Sequence, residues 1–425
     1  MVSVVIPSHN RQAYLQMALD ALAQQTYPAD RFEVVVVLDG CSDGSVEMLH
    51  NYRAPYRLHI IEQEQQGAST TRNHGASVAT GNVLIFFDDD VEATPGLIQA
   101  HVEAHSGSDR RVVIGYYPPA LAGNKSLLSL ELQGWWEEIF RDMQETGHRY
   151  CYTDLLSGNF SIPREIYHAV GGFDPNLPMR EDYELGMRLI QADVKFIFST
   201  DALGLHHDQA VLTKSMHRKF VEGIADVRVG RMYPELTQTL LIWRIMKYSR
   251  FPSRLLQQLI FYSPRLASWI ASTVAKMLPH LENVHLVGLW RRILYGILAY
   301  WYWKGVVQEL PTWEAIREFA VDPATTLQSD RKPKFVIDLS LGIDQAEQAL
   351  DRERPDSVEI YFGDKFVGRL PQQPGAERWR GAHLRPCLVD HFLFQLLESF
   401  AIRGIIDLNA DIHDINAFTQ NEIPL

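Results

Sequence analysis

Five apolar residues, Val83-Leu84-Ile85-Phe86-Phe87, run directly into three aspartates, Asp88, Asp89 and Asp90. A continuous apolar run of this length, bounded by Gly81 and an acidic cluster, reads as a strand buried on both faces. Its carboxyl end then brings three carboxylates to one point. Like charges so close repel, and the arrangement is costly unless something cationic sits among them. Carboxylate oxygens are hard donors suited to Mg²⁺ or Mn²⁺. Open α/β sheets bind ligands beyond the carboxyl ends of their strands. Taken alone, the cluster could also be a solvated acidic turn.

The surrounding pattern favours the sheet. Apolar runs recur at 2–6, 34–38, 58–61, 83–87 and 112–114, with helical patterns between them at 12–25, 45–51, 68–79 and 95–105. Such alternation predicts an α/β fold, a mostly parallel sheet with helices on both faces. Right-handed crossovers bring the strand carboxyl ends to one edge. Residues 121–150 read as helix rich in Trp and Leu, and 154–162 as a strand or extended segment. Pro163 opens a short helix, and 171–174 is a turn. A helix over 180–192, a strand over 194–198, a link over 199–205 and a helix over 211–233 complete the first domain.

Two further regions follow, which divides the chain into 1–233, 234–324 and 325–425. Between 234 and 311 the pattern is helical. Arg244, Lys247, Arg250, Arg254, Arg265, Lys276, Arg291, Arg292 and Lys304 alternate with Trp243, Phe261, Trp269, Trp290, Tyr300, Trp301, Tyr302 and Trp303. The longest uncharged run, 293–303, falls short of the roughly 18 residues that span a bilayer. Basic residues beside Trp, Tyr and Leu suit a helix lying in a membrane interface. A packed helical hairpin or an oligomer contact would read the same way. After a polar stretch at 325–333, a strand is expected at 334–339. A hairpin over 358–362 and 365–370 turns at Gly363-Asp364, and an apolar helix covers 389–401. This last unit is a small α+β domain of unknown role.

A net charge of −12 argues against general nucleic-acid binding. Cys41, Cys151 and Cys387 are scattered and in no metal-ligand spacing, as in a reduced, cytosolic protein. The chain enters a strand at once, with no basic-then-apolar leader, so no signal peptide is expected. The expected location is cytoplasmic, peripheral on the inner face of the cell membrane.

Asp39 ends the run 34–38 and should face the same crevice as the three aspartates, placed to accept hydrogen bonds from a base or a ribose. Asp43 and Ser45 are N-cap types. Arg72, in the helix opened by Gly67, is off the apolar pattern. It could fork onto a phosphate or a base, or pair with the acidic cluster. Glu181 and Asp182 begin the helix over 180–192. Acids there meet the helix dipole, and at a site edge they can hold a carboxylate ready as general base. One imidazole of His206-His207 would complete a metal shell of oxygen ligands.

Together these pieces resemble glycosyltransferase family 2, the inverting enzymes of the GT-A nucleotide-diphospho-sugar transferase fold. The resemblance rests on Val5-Ile6-Pro7-Ser8-His9-Asn10, Gln25-Thr26-Tyr27-Pro28 and Leu38-Asp39-Gly40-Cys41-Ser42-Asp43-Gly44-Ser45. It continues through Gly67 to Arg72-Asn73-His74-Gly75, Asp88-Asp89-Asp90, Gly171-Gly172-Phe173-Asp174 and Glu181-Asp182. It departs at Leu38, where the family carries an acid.

The resemblance implies a UDP- or GDP-sugar donor, a glycan or lipid-linked acceptor, and Mg²⁺ or Mn²⁺. It implies Pro7, Asn10 and Asp39 at the nucleotide, Arg72 helping to hold it, and Asp88 and Asp89 on the donor. Asp88, Asp90 and His206, or else His207, would hold the metal. Asp182 would be the general base, supported by Glu181. A metal-dependent nucleotidyltransferase and a non-catalytic sugar-nucleotide-binding protein are the alternatives. A homo-oligomer is compatible with each.

Overall fold

The computed structural model describes residues 1–107, 110–120, 126–207, 210–248, 259–320 and 335–402. Arg250, Arg254 and the polar stretch 325–333 lie outside the described residues. The chain divides into two compact units. The first comprises Met1–Arg141 with Tyr152–Pro323, and the second Asp142–Cys151 with Ala324–Leu425.

The first unit is built on an eight-stranded sheet. Its strands are β1 (Val2–Ser8), β2 (Phe32–Asp39), β3 (Arg57–Gln63), β4 (Val83–Phe87), β5 (Val91–Ala93), β6 (Arg111–Tyr116), β7 (Asn159–Pro163) and β8 (Lys195–His206). Their order is β3-β2-β1-β4-β7-β6-β8-β5. The pairs β2–β3, β1–β2, β1–β4 and β6–β8 are parallel, whereas β7 runs antiparallel to β4 and β6, and β5 antiparallel to β8. The unbroken apolar runs behave as expected, and every residue of β2 is buried. The expected α/β class with its parallel core is therefore observed.

Helices connect the strands: α1 (Gln12–Leu22), α2 (Ser45–Asn51), α3 (Ala68–Val78), α4 (Leu97–Ala104), α5 (Leu127–Gln144), α6 (Arg164–Ala169), α7 (Glu181–Gln191) and α8 (Leu212–Met232). Two departures from the sequence pattern shape the site. The expected link at 199–205 is strand, the second half of β8. It is strand because β5, a three-residue element directly after the aspartates, pairs with it through Val91↔His206, Glu92↔Leu205 and Ala93↔Gly204.

Residues 234–323 belong to the same compact unit. Gly223 of α8 and Gly305 of the helix Val287–Glu309 mark a close crossing of the two helices. A Cβ on Gly223 would fall on the carbonyl oxygen of Tyr302, and one on Gly305 on that of Phe220. Around the crossing, Tyr302, Trp303 and Val306 pack with Tyr152, Met187, Val227 and Val229. Burying each large side chain contributes roughly 1.5–3 kcal/mol. Trp290, Tyr300, Tyr302 and Trp303, left open by the sequence between an interface and a packed hairpin, are buried. Core packing claims them because they lie on the faces turned to α8 and the neighbouring helices.

The second unit carries a three-stranded sheet of β9 (Phe335–Asp338), β10 (Val358–Phe362) and β11 (Lys365–Leu370). The expected hairpin is β10–β11, turning at Gly363 with φ 67°, and β9 joins β10 in parallel. The helices Ile343–Glu353 and Gly381–Ile402 supply Leu350, Leu384 and Leu388 to its core with Ile360 and Trp379.

Candidate active site

The parallel registers Ser8↔Leu38 and Val5↔Phe86 bring the carboxyl ends of β1, β2 and β4 to one edge. Asp39 and Asp88–Asp90 therefore meet there without help from long loops. Because β7 runs antiparallel to β4, its amino end lies at the same edge, and the Asp88 N–H donates to the Gly158 carbonyl at 3.0 Å. The β5–β8 pairing adds His206. The His207 N–H donates to the Asp90 carbonyl at 2.8 Å, and His206 Nε2 stands 3.5 Å from Asp90 Oδ1. His207 turns the other way, with Nε2 2.8 Å from Glu92 Oε2.

Two arginines balance the aspartates. Arg11 Nη1 donates to Asp89 Oδ1 at 3.0 Å and to Asp90 Oδ2 at 2.6 Å. Ser8 Oγ donates to Asp89 Oδ2 at 2.6 Å. Burial dominates at Asp89 and pushes its pKa up to about 6, although Arg11 and Ser8 oppose the rise. At Asp90 burial is outweighed by His206 and Arg11, which hold the carboxyl below its ordinary range. Arg72, 5% exposed, donates through Nη2 to Asp88 Oδ1 at 2.8 Å and through Nη1 to Glu181 Oε1 at 3.0 Å. Its terminal nitrogens are thus turned to carboxylates, as in the ion-pair reading of its position.

The turn 171–174 supports this arginine. Asn73 Nδ2 donates to the Phe173 carbonyl at 2.8 Å, and the Phe173 N–H returns a bond to Asn73 Oδ1 at 2.9 Å. The Arg72 guanidinium lies 5.4 Å from the centroid of the Phe173 ring. Gly172, at φ 69°, is where a side chain would collide with Asn73. The Gly-Gly-Phe sequence is therefore a backbone requirement of the Arg72 brace.

The loops that follow β1, β2 and β3 are tied down by the residues expected at the nucleotide. Asp39 accepts from Gln63 Nε2 at 2.9 Å, the Gln66 N–H at 2.7 Å and the Gly67 N–H at 2.9 Å. Burial raises its pKa, but these bonds win and lower it. Asn10 Oδ1 accepts from the Ser42 and Asp43 N–H groups at 2.7 and 3.2 Å. The N-cap of α2 is Gly44 and not Asp43. Asp43, one residue before it, accepts from Ser45 N–H at 3.1 Å in a local turn and from Gln12 N–H at 3.0 Å. Pro7 sits opposite Val37 in the β1–β2 register.

Asp182 lies in the first turn of α7. It accepts from its neighbour Tyr183 N–H at 2.9 Å and from Ser157 N–H at 3.3 Å. Burial first, and then the charge of Glu181, push its pKa up to about 6. The residue before the pair, Arg180, adopts the left-handed conformation at φ 65°. Its side chain lies 3.3 Å from Asp226 Oδ1 and 3.6 Å from Glu222 Oε2, both on α8. Tyr302 OH donates to Asp226 Oδ2 at 2.6 Å. The start of α7 is thereby pinned to α8 and to the helix Val287–Glu309.

One cavity of about 290 Å³ joins Asp88, Asp90, Glu181, Asp182 and His206. Of the expected site residues, Pro7, Asn10, Asp39, Arg72 and Asp89 do not line it; Arg72 and Asp89 bond residues that do, Asp88 and Glu181 for the first and Arg11 for the second. The cavity also exposes Arg11, Tyr117, Trp135, Trp136 and Arg218, none of which the sequence singled out as site residues. Only the paired Trp135-Trp136 on the helical stretch 121–150 carried a signal. Arg11 and Arg218 had none, since a single cation on a loop or helix reads as solvated.

Residues 3–171 match the family described as Glycosyl transferase family 2. A validoxylamine A glucosyltransferase of Streptomyces hygroscopicus subsp. limoneus is 32% identical over 232 residues, which cover 48% of this chain and 51% of the relative. The glycosyltransferase AglE of Haloferax volcanii is 28% identical over 211 residues, covering 48% and 66%. The chain thus spans between half and two thirds of the length of such relatives. Among solved structures, the mannosyltransferase PcManGT from Pyrobaculum calidifontis, in complex with GDP-Man and Mn²⁺, aligns with a TM-score of 0.48. It is 16% identical, over 74% of this chain and 87% of that one.

Proposed function

We propose, from the match of residues 3–171 to the Glycosyl transferase family 2 model, that the protein moves a sugar from a nucleoside-diphosphate sugar to an acceptor hydroxyl, inverting the anomeric centre. The observation that carries the reading is Asp182. Its carboxyl has a pKa raised to about 6 and shares one cavity with Asp88, Asp90 and His206. A base poised near neutrality is matched to proton removal from a hydroxyl.

The acceptor oxygen forms its bond to the anomeric carbon as the bond from that carbon to the diphosphate oxygen breaks, on the opposite face. The hydroxyl proton passes to Asp182, and the electron pair of the broken bond leaves with the nucleoside diphosphate. The N–H groups of Ser157 and Tyr183 fix the carboxylate for this transfer. Glu181, tied to Arg72, keeps a negative charge beside it, which strengthens the base. Pro7, Asn10 and Asp39 border the nucleotide, Asp88 faces the donor, Asp89 acts on the donor side through Arg11, which it holds, and Arg72 aligns Asp88 with the helix that carries Asp182.

The donor set fits a divalent ion by its chemistry. Asp88 and Asp90 offer hard oxygens, and His206 adds an imidazole nitrogen already 3.5 Å from Asp90. Among the described residues no three such side chains stand gathered as a metal cluster; Arg11 is the cation on Asp89 and Asp90 in this state. Asp88, Asp90 and His206 would hold Mg²⁺ or Mn²⁺, whose charge offsets that developing on the leaving diphosphate. Trp135, 41% exposed, and Trp136 offer apolar faces to a glycan or lipid-linked acceptor.

Melting curves with UDP- and GDP-sugars in the presence of Mn²⁺ test the reading. A ligand at about 100 times its Kd stabilises by roughly 2.7 kcal/mol, which a melting curve resolves. A shift for one nucleotide and its sugars is the expected result. No shift with any of them would overturn the proposal.

A further inference from the structure

The helix Val287–Glu309 has two unlike ends. Its second half is buried through Tyr300, Tyr302, Trp303 and Val306. Its first turn, and the turn that leads into it, are bare. Every residue from 283 to 289 is exposed, including Val284, Leu286, Val287 and Leu289, and Leu286 is 50% exposed. Beneath this tip, Leu281, Trp290 and Leu294 close a core of their own. The helix Pro264–Ala275 shows the same division. Ala267, Ala271 and Ala275 are buried on one face, whereas Leu266 and Trp269 stand out on the other, Trp269 at 65%.

Charge decides what such a surface fits. The acids between 264 and 309 are Glu282 and Glu309, and both are turned inward. Glu282 accepts from the Leu127 N–H at 2.7 Å, and Glu309 holds Arg228 and Arg231 at 2.9 Å. Arg291 is balanced by Glu131. Arg265, Lys276 and Arg292 are exposed and have no acidic partner among the described residues. Ser268 bonds Tyr300 and Ala275 packs with Trp290, so Arg265 lies at the far end of the helix pair, while Lys276 and Arg292 flank the tip. A chain with a net charge of −12 thus keeps a bare aliphatic tip beside two cations. Exposed apolar side chains rimmed by basic ones match the boundary between anionic headgroups and acyl chains. No described helix is long and apolar enough to cross a membrane.

We propose that the turn 283–289 seats in the interface of an anionic lipid surface, with Lys276 and Arg292 over the headgroups. The contact is narrower than the sequence suggests, because Trp290, Tyr300, Tyr302 and Trp303 belong to the core. The inference stands apart from the catalytic reading and uses none of its residues.

Flotation of the full chain with phosphatidylcholine vesicles, with and without phosphatidylserine, is the test. Wild type should float with the anionic vesicles, less with neutral ones, and less at high salt. Lys276→Glu and Arg292→Glu should each weaken partition roughly fivefold or more. The double variant Leu286→Asp/Leu289→Asp should stay at the bottom of the gradient while keeping the wild-type melting curve, since both side chains are exposed. Phe394→Asp, at an exposed site in the second unit, should float as wild type does. Wild type that never floats, or a double variant that floats unchanged, would overturn the proposal. So would flotation resistant to alkaline carbonate, which means a span. Wild type that stays down and scatters light as a dimer, with the double variant monomeric, would make the tip a contact between copies and overturn it too.

Discussion

Arg72 and Asp88 meet at 2.8 Å, and the other arm of the same guanidinium holds Glu181 at 3.0 Å. One buried cation thus joins the end of β4 to the start of α7, the two elements that carry the acidic cluster and Asp182. Arg72→Ala should cost about 1–3 kcal/mol, less than for a fully buried pair, because the stranded Asp88 and Glu181 are only partly buried. Denaturant unfolding measures it. A loss below about 1 kcal/mol, the size of an exposed pair, would remove the bracing role.

Arg11 occupies Asp89 and Asp90 in this state. Arg11→Met removes the competing cation, so Mn²⁺ should bind more tightly to the variant than to wild type. Calorimetric titration with Mn²⁺ reads this directly. Weaker binding in the variant would mean that Arg11 helps to build the metal site, against the assignment of Asp88, Asp90 and His206.

Asp182 gives a pH prediction with a definite sign. Its folded pKa, about 6, is above its ordinary 3.8. The stability it contributes is therefore present below pH 4 and is lost as pH rises through 6. Catalysis runs the opposite way, because the base must be ionised, so kcat should climb through the same window. Asp182→Asn should lower kcat about 10²–10⁴-fold and still melt higher than wild type at pH 8. A variant that melts lower there would contradict a strained, buried carboxyl.

The crossing of α8 with the helix Val287–Glu309 is sterically closed at Gly305. Gly305→Val should destabilise the first unit by about 1–3 kcal/mol or more, as overpacking does. Because Tyr302 and Asp226 tie this crossing to Arg180, kcat should fall along with the melting temperature. Unchanged melting would show that the helices cross less closely than described.

The sequence made the central strands legible because each is a continuous apolar run closed by turn residues. The aspartates, Asp39 and Glu181-Asp182 were legible because each sits at an element end. β5 was not, since Val91-Glu92-Ala93 is too short for any period to show. With it went the extension of β8 and the reason His206, rather than His207, reaches Asp90. Arg11 could not be found from sequence, as only the folded loop turns it onto the carboxylates. The sequence left open whether the aromatics at 300–303 pack or face outward, because the burial of Tyr300, Tyr302 and Trp303 depends on α8, a partner some 80 residues earlier in the chain.

Proton NMR of the transfer reaction bears most directly on the central claim. UDP- and GDP-sugars with an axial anomeric phosphate would be incubated with wild type, Mn²⁺ and an acceptor library, and the anomeric signal followed. Wild type should give a product of inverted anomeric configuration. Asp182→Asn should give almost none, while still showing the donor-induced melting shift. A product that keeps the donor's configuration, or full turnover by Asp182→Asn, would contradict the assignment of Asp182 as the base of a direct displacement.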